Sequence, residues 1–116
     1  MSQVSIYHNP RCSKSRQTLA LLQEQGIEPT VIEYLKDTPS EDEIKELLSK
    51  LGFVSARELM RSKEDVFKEL ELKNESDEDK LIAAMAAHPK LIERPIVVKG
   101  EQARLGRPPE AVLEIL

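Results

Sequence analysis

Cysteine is nearly absent from this chain: Cys12 is the only one in 116 residues. A lone thiol closes no intrachain disulfide, so a disulfide framework and an internal dithiol cycle are both excluded. Whatever Cys12 does, it does alone or with a thiol from another molecule. Tryptophan is missing, and Phe and Tyr number two each, too few to stack nucleic-acid bases. No apolar stretch approaches the ~18 residues of a membrane span, and the start MSQVSIYHNP lacks a secretory apolar core. There is no glycine-rich phosphate loop, no cluster with metal-ligand spacing and no recognisable Ser/His/Asp constellation. The expectation is a soluble, cytoplasmic protein that holds no metal and no bound cofactor, and that touches neither membrane nor nucleic acid.

What is present is an ordinary globular composition with a highly charged surface: 40% hydrophobic, 33% charged, net charge −4 at pH 7. The acidic balance offers no electrostatic reason for nucleic-acid binding. A chain of 116 residues fits one domain, spanning 1–116, that buries about two thirds of its extended surface without staples. Charge is unevenly placed. Residues 1–23 contain Arg11, Lys14 and Arg16 but no acid, whereas residues 64–79 hold eight acids against Lys68 and Lys73. The acidic stretch reads as a solvated helical face.

The short alternating run around Val4 and Ile6 predicts a strand ending near Tyr7. Asn9-Pro10 breaks it, because proline pushes the preceding residue out of the helical region. A helix follows from about Cys12–Ser13, with Leu19, Leu22 and Ala20 as its apolar stripe and Gly26 as its stop. The β-branched run from Thr30 predicts a second strand, Thr30–Tyr34. Strand, helix, strand in this span is a βαβ unit with parallel pairing. In the middle, Ser40 with Glu43 and Ser55 with Glu58 make two capping boxes. Val66, Phe67 and Leu70 suggest a short helical piece, and Ser76 caps a further helix that stops at His88-Pro89. Ile96–Val98 and Ala103–Leu105 flank Gly100 as an antiparallel hairpin. Pro108-Pro109 opens a closing helix with Val112, Leu113 and Leu116 as its buried stripe. The order βαβ, helices, ββα gives an α/β fold with a small mixed sheet.

Cys12 therefore lies at a strand-to-helix junction. Three effects lower a thiol pKa there: the helix dipole, free backbone N–H groups, and positive charge from Arg11, Lys14, Arg16 or His8. The thiolate is the nucleophilic form, and the same junction binds anions. Cysteine is also a common small buried hydrophobe, but the neighbours Arg11, Ser13, Lys14, Ser15 and Arg16 are all polar. Position alone leaves His8 open between a group acting on the thiolate and a strand-end histidine held by the backbone. Arg61, Arg94 and Arg107 lie at element edges beside apolar anchors, where planar donors suit a tetrahedral oxyanion. Each is equally placed for a surface salt bridge, and spacing does not show that they converge.

The stretch from Ile6 to Leu19, containing His8-Asn9-Pro10-Arg11-Cys12-Ser13-Lys14-Ser15-Arg16, resembles the arsenate reductase (ArsC) family. So do Ser55–Arg61, His88–Val98 and Arg104–Glu110, in the same order along the whole chain. The resemblance implies a thioredoxin-like (glutaredoxin-like) fold, a four-stranded mixed sheet with an inserted helical region. It implies that Cys12 attacks arsenate to form a thiol–arsenate adduct, that His8 lowers its pKa, and that Arg61, Arg94 and Arg107 bind the oxyanion. Pro95 matches a cis-proline beside the site, with Ser13 and Ser15 as structural neighbours of the thiol. Glutathione is the implied co-substrate and glutaredoxin the implied partner, which suits a chain with no resolving cysteine. Ser13-Lys14 stands where well-studied members have Gly-Thr, and the chain ends at Leu116 without the extension of longer members. Both features look like the short arsenate reductase-like (YfgD-type) branch. Two alternatives stay open: a thiol oxidoreductase acting on another oxyanion or a glutathionylated substrate, and an Spx-like regulatory binding protein. The latter characteristically use a Cys-x-x-Cys switch, where this chain has Cys12-Ser13-Lys14-Ser15.

Overall fold

Val4–Tyr7 forms the first strand, β1, with Val4, Ile6 and Tyr7 buried. The computed structural model describes residues 3–116. Strand β2, Thr30–Ile32, pairs parallel with β1, and the crossover between them is helix α1, Ser13–Glu24. This is the expected βαβ unit, with β2 two residues shorter than its apolar run because the chain turns after Ile32. Strands β3, Ile96–Lys99, and β4, Gln102–Leu105, form the expected hairpin. Its two-residue turn puts Gly100 at φ +61°, a conformation that hairpin turns demand and that glycine adopts without strain. The mixed sheet runs β2-β1-β3-β4, with β3 antiparallel to both its neighbours.

The backbone falls into two compact units. One comprises the chain up to Asp37 together with Arg94–Leu116, and so contains the whole sheet. Its core gathers Val4, Ile6, Leu22, Val97, Val112 and Ile115. Helix α1 departs from its expected stripe: Leu22 is buried and Leu19 half-buried, but Ala20 is exposed, and the polar Ser15 and Thr18 are fully buried. Positions 15, 18 and 22 follow helical spacing, so the buried face exists but begins with hydroxyls. The closing element, Pro109–Ile115, is a 3-10 helix. With three residues per turn it buries Val112 and Ile115 and leaves Leu113 exposed, which corrects the stripe read at α-helical spacing.

The other unit, Thr38–Glu93, is the inserted helical region. It contains α2, Glu41–Leu51; α3, Asp65–Glu69; and α4, Glu78–Ala87. Both capping boxes form as read, Ser40 with Glu43 and Ser55 with Glu58. The cap of α4 is Asp77 rather than Ser76: its carboxylate accepts the Asp79 amide at 2.9 Å, and an anion at that place also faces the positive end of the helix. Glu78, one residue on, accepts from the Ala56 amide at 2.7 Å and the Ser55 hydroxyl at 2.9 Å, tying α4 to the turn at residues 56–59. Among the described residues no helix is long and apolar enough to cross a membrane.

Candidate active site

Strand register assembles one end of the sheet. Tyr7 pairs with Ile96 and Ile96 with Leu105. Residues just past Tyr7, just before Ile96 and just past Leu105 therefore emerge at the same edge. They are His8, Arg94-Pro95 and Gly106-Arg107. The sequence spaces these groups far apart; antiparallel pairing brings them together.

The loop from His8 to Cys12 is braced by its own backbone. Asn9 Oδ1 accepts the Arg11 amide at 3.0 Å, and the Asn9 carbonyl accepts the Cys12 amide at 3.0 Å. This Asx-type turn delivers Cys12 to the N-cap position of α1. Burial raises the Cys12 thiol pKa, but the Ser15 amide, the Arg94 guanidinium, the Lys14 amide and the Arg107 guanidinium together bring it below the ordinary value. The amides of the first turn of α1 favour its anion. The cations that act on Cys12 are thus Arg94 and Arg107, from the far end of the chain. Among the nearby cations proposed from sequence, Arg16 instead donates to the Pro10 carbonyl at 2.9 Å.

His8 is 6% exposed, and its Nδ1 lies 2.6 Å from the Ser15 hydroxyl, itself fully buried. Ser15 Oγ also accepts the Asn9 amide at 3.0 Å. We assign the hydroxyl proton to His8 Nδ1, so that the neutral imidazole keeps its own proton on Nε2. Burial pulls the His8 pKa below 6.5, with Glu33 opposing and Arg16 assisting. A histidine in that state is neutral at pH 7, suited to accepting or passing a proton.

Pro95 follows a cis peptide and is buried. Its carbonyl accepts the Gly106 amide at 2.9 Å, and Arg107 Nε donates to the Arg94 carbonyl at 2.9 Å. The two arginine segments thereby brace each other. Gly106 and Thr18 escaped the sequence reading: a Cβ on Gly106 would stand 2.5 Å from Thr18 Oγ1 and 2.7 Å from Pro95 Cγ. The only signal was the Gly-Arg-Pro-Pro run itself. Ser13, the first residue of α1, is exposed.

Arg61 belongs to the helical unit. Its amide donates to the Leu91 carbonyl at 2.8 Å, and its Nη1 donates to Glu64 Oε1 at 3.0 Å. A cavity of about 690 Å³ in that unit is lined by Arg57, Met60, Phe67 and Lys68 among others, and Arg61 is not part of its wall.

A small mixed sheet opening on a strand–turn–helix, with the cysteine at the helix start, is the thioredoxin-like fold of an oxidoreductase. The model of the ArsC family matches residues 7–115, and this chain belongs to that family. The arsenate reductase of Haemophilus influenzae is 49% identical over 114 residues, covering 97% of this chain and 98% of that protein. Escherichia coli K-12 YfgD, named an uncharacterized protein, is 59% identical, covering 98% of this chain and 97% of YfgD. The structure of an arsenate reductase from Vibrio cholerae superposes with a TM-score of 0.97 at 60% identity, over 99% of this chain and 98% of that one.

Proposed function

We propose that this chain reduces arsenate to arsenite, with Cys12 as its nucleophile. The observation that carries the reading is that the only thiol is acidified beside two arginines, Arg94 and Arg107. A thiolate and fixed guanidinium charges together suit attack on a tetrahedral oxyanion, because the cations offset the repulsion between two anions. Membership of the ArsC family and relatives named arsenate reductase support the choice of arsenate.

In this reading Arg94 and Arg107 hold the oxyanion, and Arg61 takes the same task on the strength of the family resemblance. The Cys12 thiolate attacks arsenic and one arsenate hydroxyl takes up a proton from solvent and leaves as water, forming an S–As(V) bond. His8, neutral and braced by Ser15, relays that proton. Pro95 and Ser13 shape the surroundings. The thiolate of glutathione then attacks the Cys12 sulfur; the S–As bond breaks, its electron pair stays with arsenic, and arsenite leaves. Two sulfurs have been oxidised to a mixed disulfide and As(V) reduced to As(III). Glutaredoxin restores the Cys12 thiol. The electrons come from thiols throughout, so no bound cofactor is required, and the glutathione-rich cytoplasm is the compartment that suits it.

Purified protein with glutathione, glutaredoxin and arsenate is expected to turn over, and Cys12→Ser to abolish turnover. Absence of activity in the folded wild-type protein would sink arsenate as the substrate. Activity on a glutathionylated thiol in its place would redirect the same chemistry.

A further inference from the structure

The cavity of about 690 Å³ in the helical unit is walled entirely by that unit, by residues from Arg57 to Asn74. Its size falls in the range of small-molecule sites. Met60 and Phe67 supply the apolar part of the wall, and each is buried but for the surface it turns to the cavity.

Charge in the wall runs against charge in the sequence. Residues 64–79 carry eight acids and only two bases, Lys68 and Lys73. Both bases line the cavity together with Arg57, whereas Glu71 is the one acid of the eight that does. The most acidic stretch of the chain therefore lends the cavity a net positive wall, which favours an anion.

The wall is also built at a conformational cost. Glu71 has φ 54° and ψ 37°, and among the described residues no other non-glycine has a positive φ. A side chain with a Cβ rarely adopts this left-handed region, and such strain gathers at binding sites. Here it separates α3 from the turn Leu72–Asn74, so that Lys68 before it and Lys73 after it share one wall. Arg57 fastens the turn from the other side: Nη2 donates to the Leu72 carbonyl at 2.6 Å and to the Glu75 carbonyl. A cavity pinned in this way is preformed, which spares a ligand the cost of ordering it.

We propose that this cavity is a binding site for a small organic anion with an apolar body: the body lies along Met60 and Phe67, and the anionic end meets Lys68 and Lys73. The apolar surface sets it apart from a site for a bare inorganic oxyanion, and the cations set it apart from a site for a neutral hydrophobe. The proposal does not depend on the reading of Cys12.

The test uses the full chain and two fluorescent probes: anilinonaphthalene sulfonate, and phenylnaphthylamine, which is the same ring system without the sulfonate. The sulfonate should bind at one site per chain, and the backbone amides it shifts in nitrogen-15 spectra should fall within residues 57–74. Lys68→Gln and Lys73→Gln, both exposed positions where folding is not at stake, should each weaken its binding by about two- to fivefold, the strength of an exposed ion pair. Lys90→Gln, an exposed position of the same unit outside the wall, should leave it unchanged, and no lysine substitution should alter binding of the uncharged probe. Absence of saturable binding overturns the proposal, as do amide shifts centred elsewhere in the chain. Equal losses in all three lysine variants overturn it too, since net charge alone would give that result. Displacement of the sulfonate by inorganic phosphate at millimolar concentration also overturns it, because a bare oxyanion has no use for the apolar wall.

Discussion

Ser15 Oγ lies 2.6 Å from His8 Nδ1, and both residues are buried. The same hydroxyl accepts the amide of Asn9 at 3.0 Å, so one side chain braces both the imidazole and the loop that carries Cys12. Ser15→Ala leaves two polar groups without their partner in a place water reaches poorly. The expected cost is about 1–3 kcal/mol of folding free energy, measurable by urea unfolding. A variant as stable as wild type would show that the hydroxyl is dispensable to the loop.

The pH dependence of stability should carry the signature of His8. Its folded pKa lies below 6.5 because burial disfavours the charged ring. Between the folded and unfolded values the unfolded chain binds more protons, so stability rises with pH through that window and levels off above 6.5. Acidification below 6.5 is therefore destabilising, and His8→Gln should flatten that limb of the profile. An unchanged slope in the variant would assign the limb to other groups.

Cys12 titrates in the opposite chemical sense but with a related consequence. Burial opposes its ionisation, and the Ser15 amide, Arg94, the Lys14 amide and Arg107 outweigh it. Its alkylation midpoint should fall below that of an ordinary thiol, and Arg94→Gln should move it up. Because the folded value is depressed, the stabilisation it brings is present above the unfolded value and lost as pH falls through the folded one. With a charge-assisted contact to the oxyanion removed as well, kcat/KM for arsenate should drop about ten- to a hundredfold. A midpoint that ignores Arg94 would remove that guanidinium from the activation of the thiol.

Gly106→Ala tests the close approach between the end of β4 and α1. The new methyl would stand 2.5 Å from Thr18 Oγ1, a side chain fully buried and already donating to the Lys14 carbonyl at 2.8 Å. Overpacking of this kind costs about 1–3 kcal/mol. Adding Thr18→Ala should recover part of the loss but not all, since Pro95 Cγ remains 2.7 Å away. Strict additivity of the two substitutions would show that they do not meet.

Within the helical unit, Glu78 ties two elements at once, accepting from both the Ala56 amide and the Ser55 hydroxyl. Glu78→Ala removes both acceptors and should lower stability by about 1–3 kcal/mol, read from the urea midpoint. Glu78→Gln keeps one acceptor oxygen and should cost less. Equal losses in the two variants would mean that charge, and not hydrogen bonding, is what Glu78 supplies.

Much of this molecule is local and therefore readable along the chain. The βαβ start, the two capping boxes, the hairpin around Gly100 and the placing of Cys12 at a helix N-terminus each depend on a few consecutive residues. The lone thiol likewise determines, without any structure, that a thiol cycle must draw on another molecule. Where sequence and structure part, a competing local geometry is the cause: three residues per turn exposed Leu113 and buried Ile115, and Asp77 displaced Ser76 at a cap.

Tertiary structure decided the rest. Which cations reach Cys12 follows from Tyr7 pairing with Ile96 and Ile96 with Leu105, a register between segments from opposite ends of the chain. The burial of Ser15 and Thr18, hydroxyls that a hydrophobic pattern assigns to solvent, becomes intelligible only once His8 and Gly106 stand against them. Propensity and capping act within one turn of chain, whereas register and close approach are set by packing between distant strands and helices. The lone thiol at a helix start was therefore legible as a sequence feature, and the guanidinium groups that lower its pKa were not.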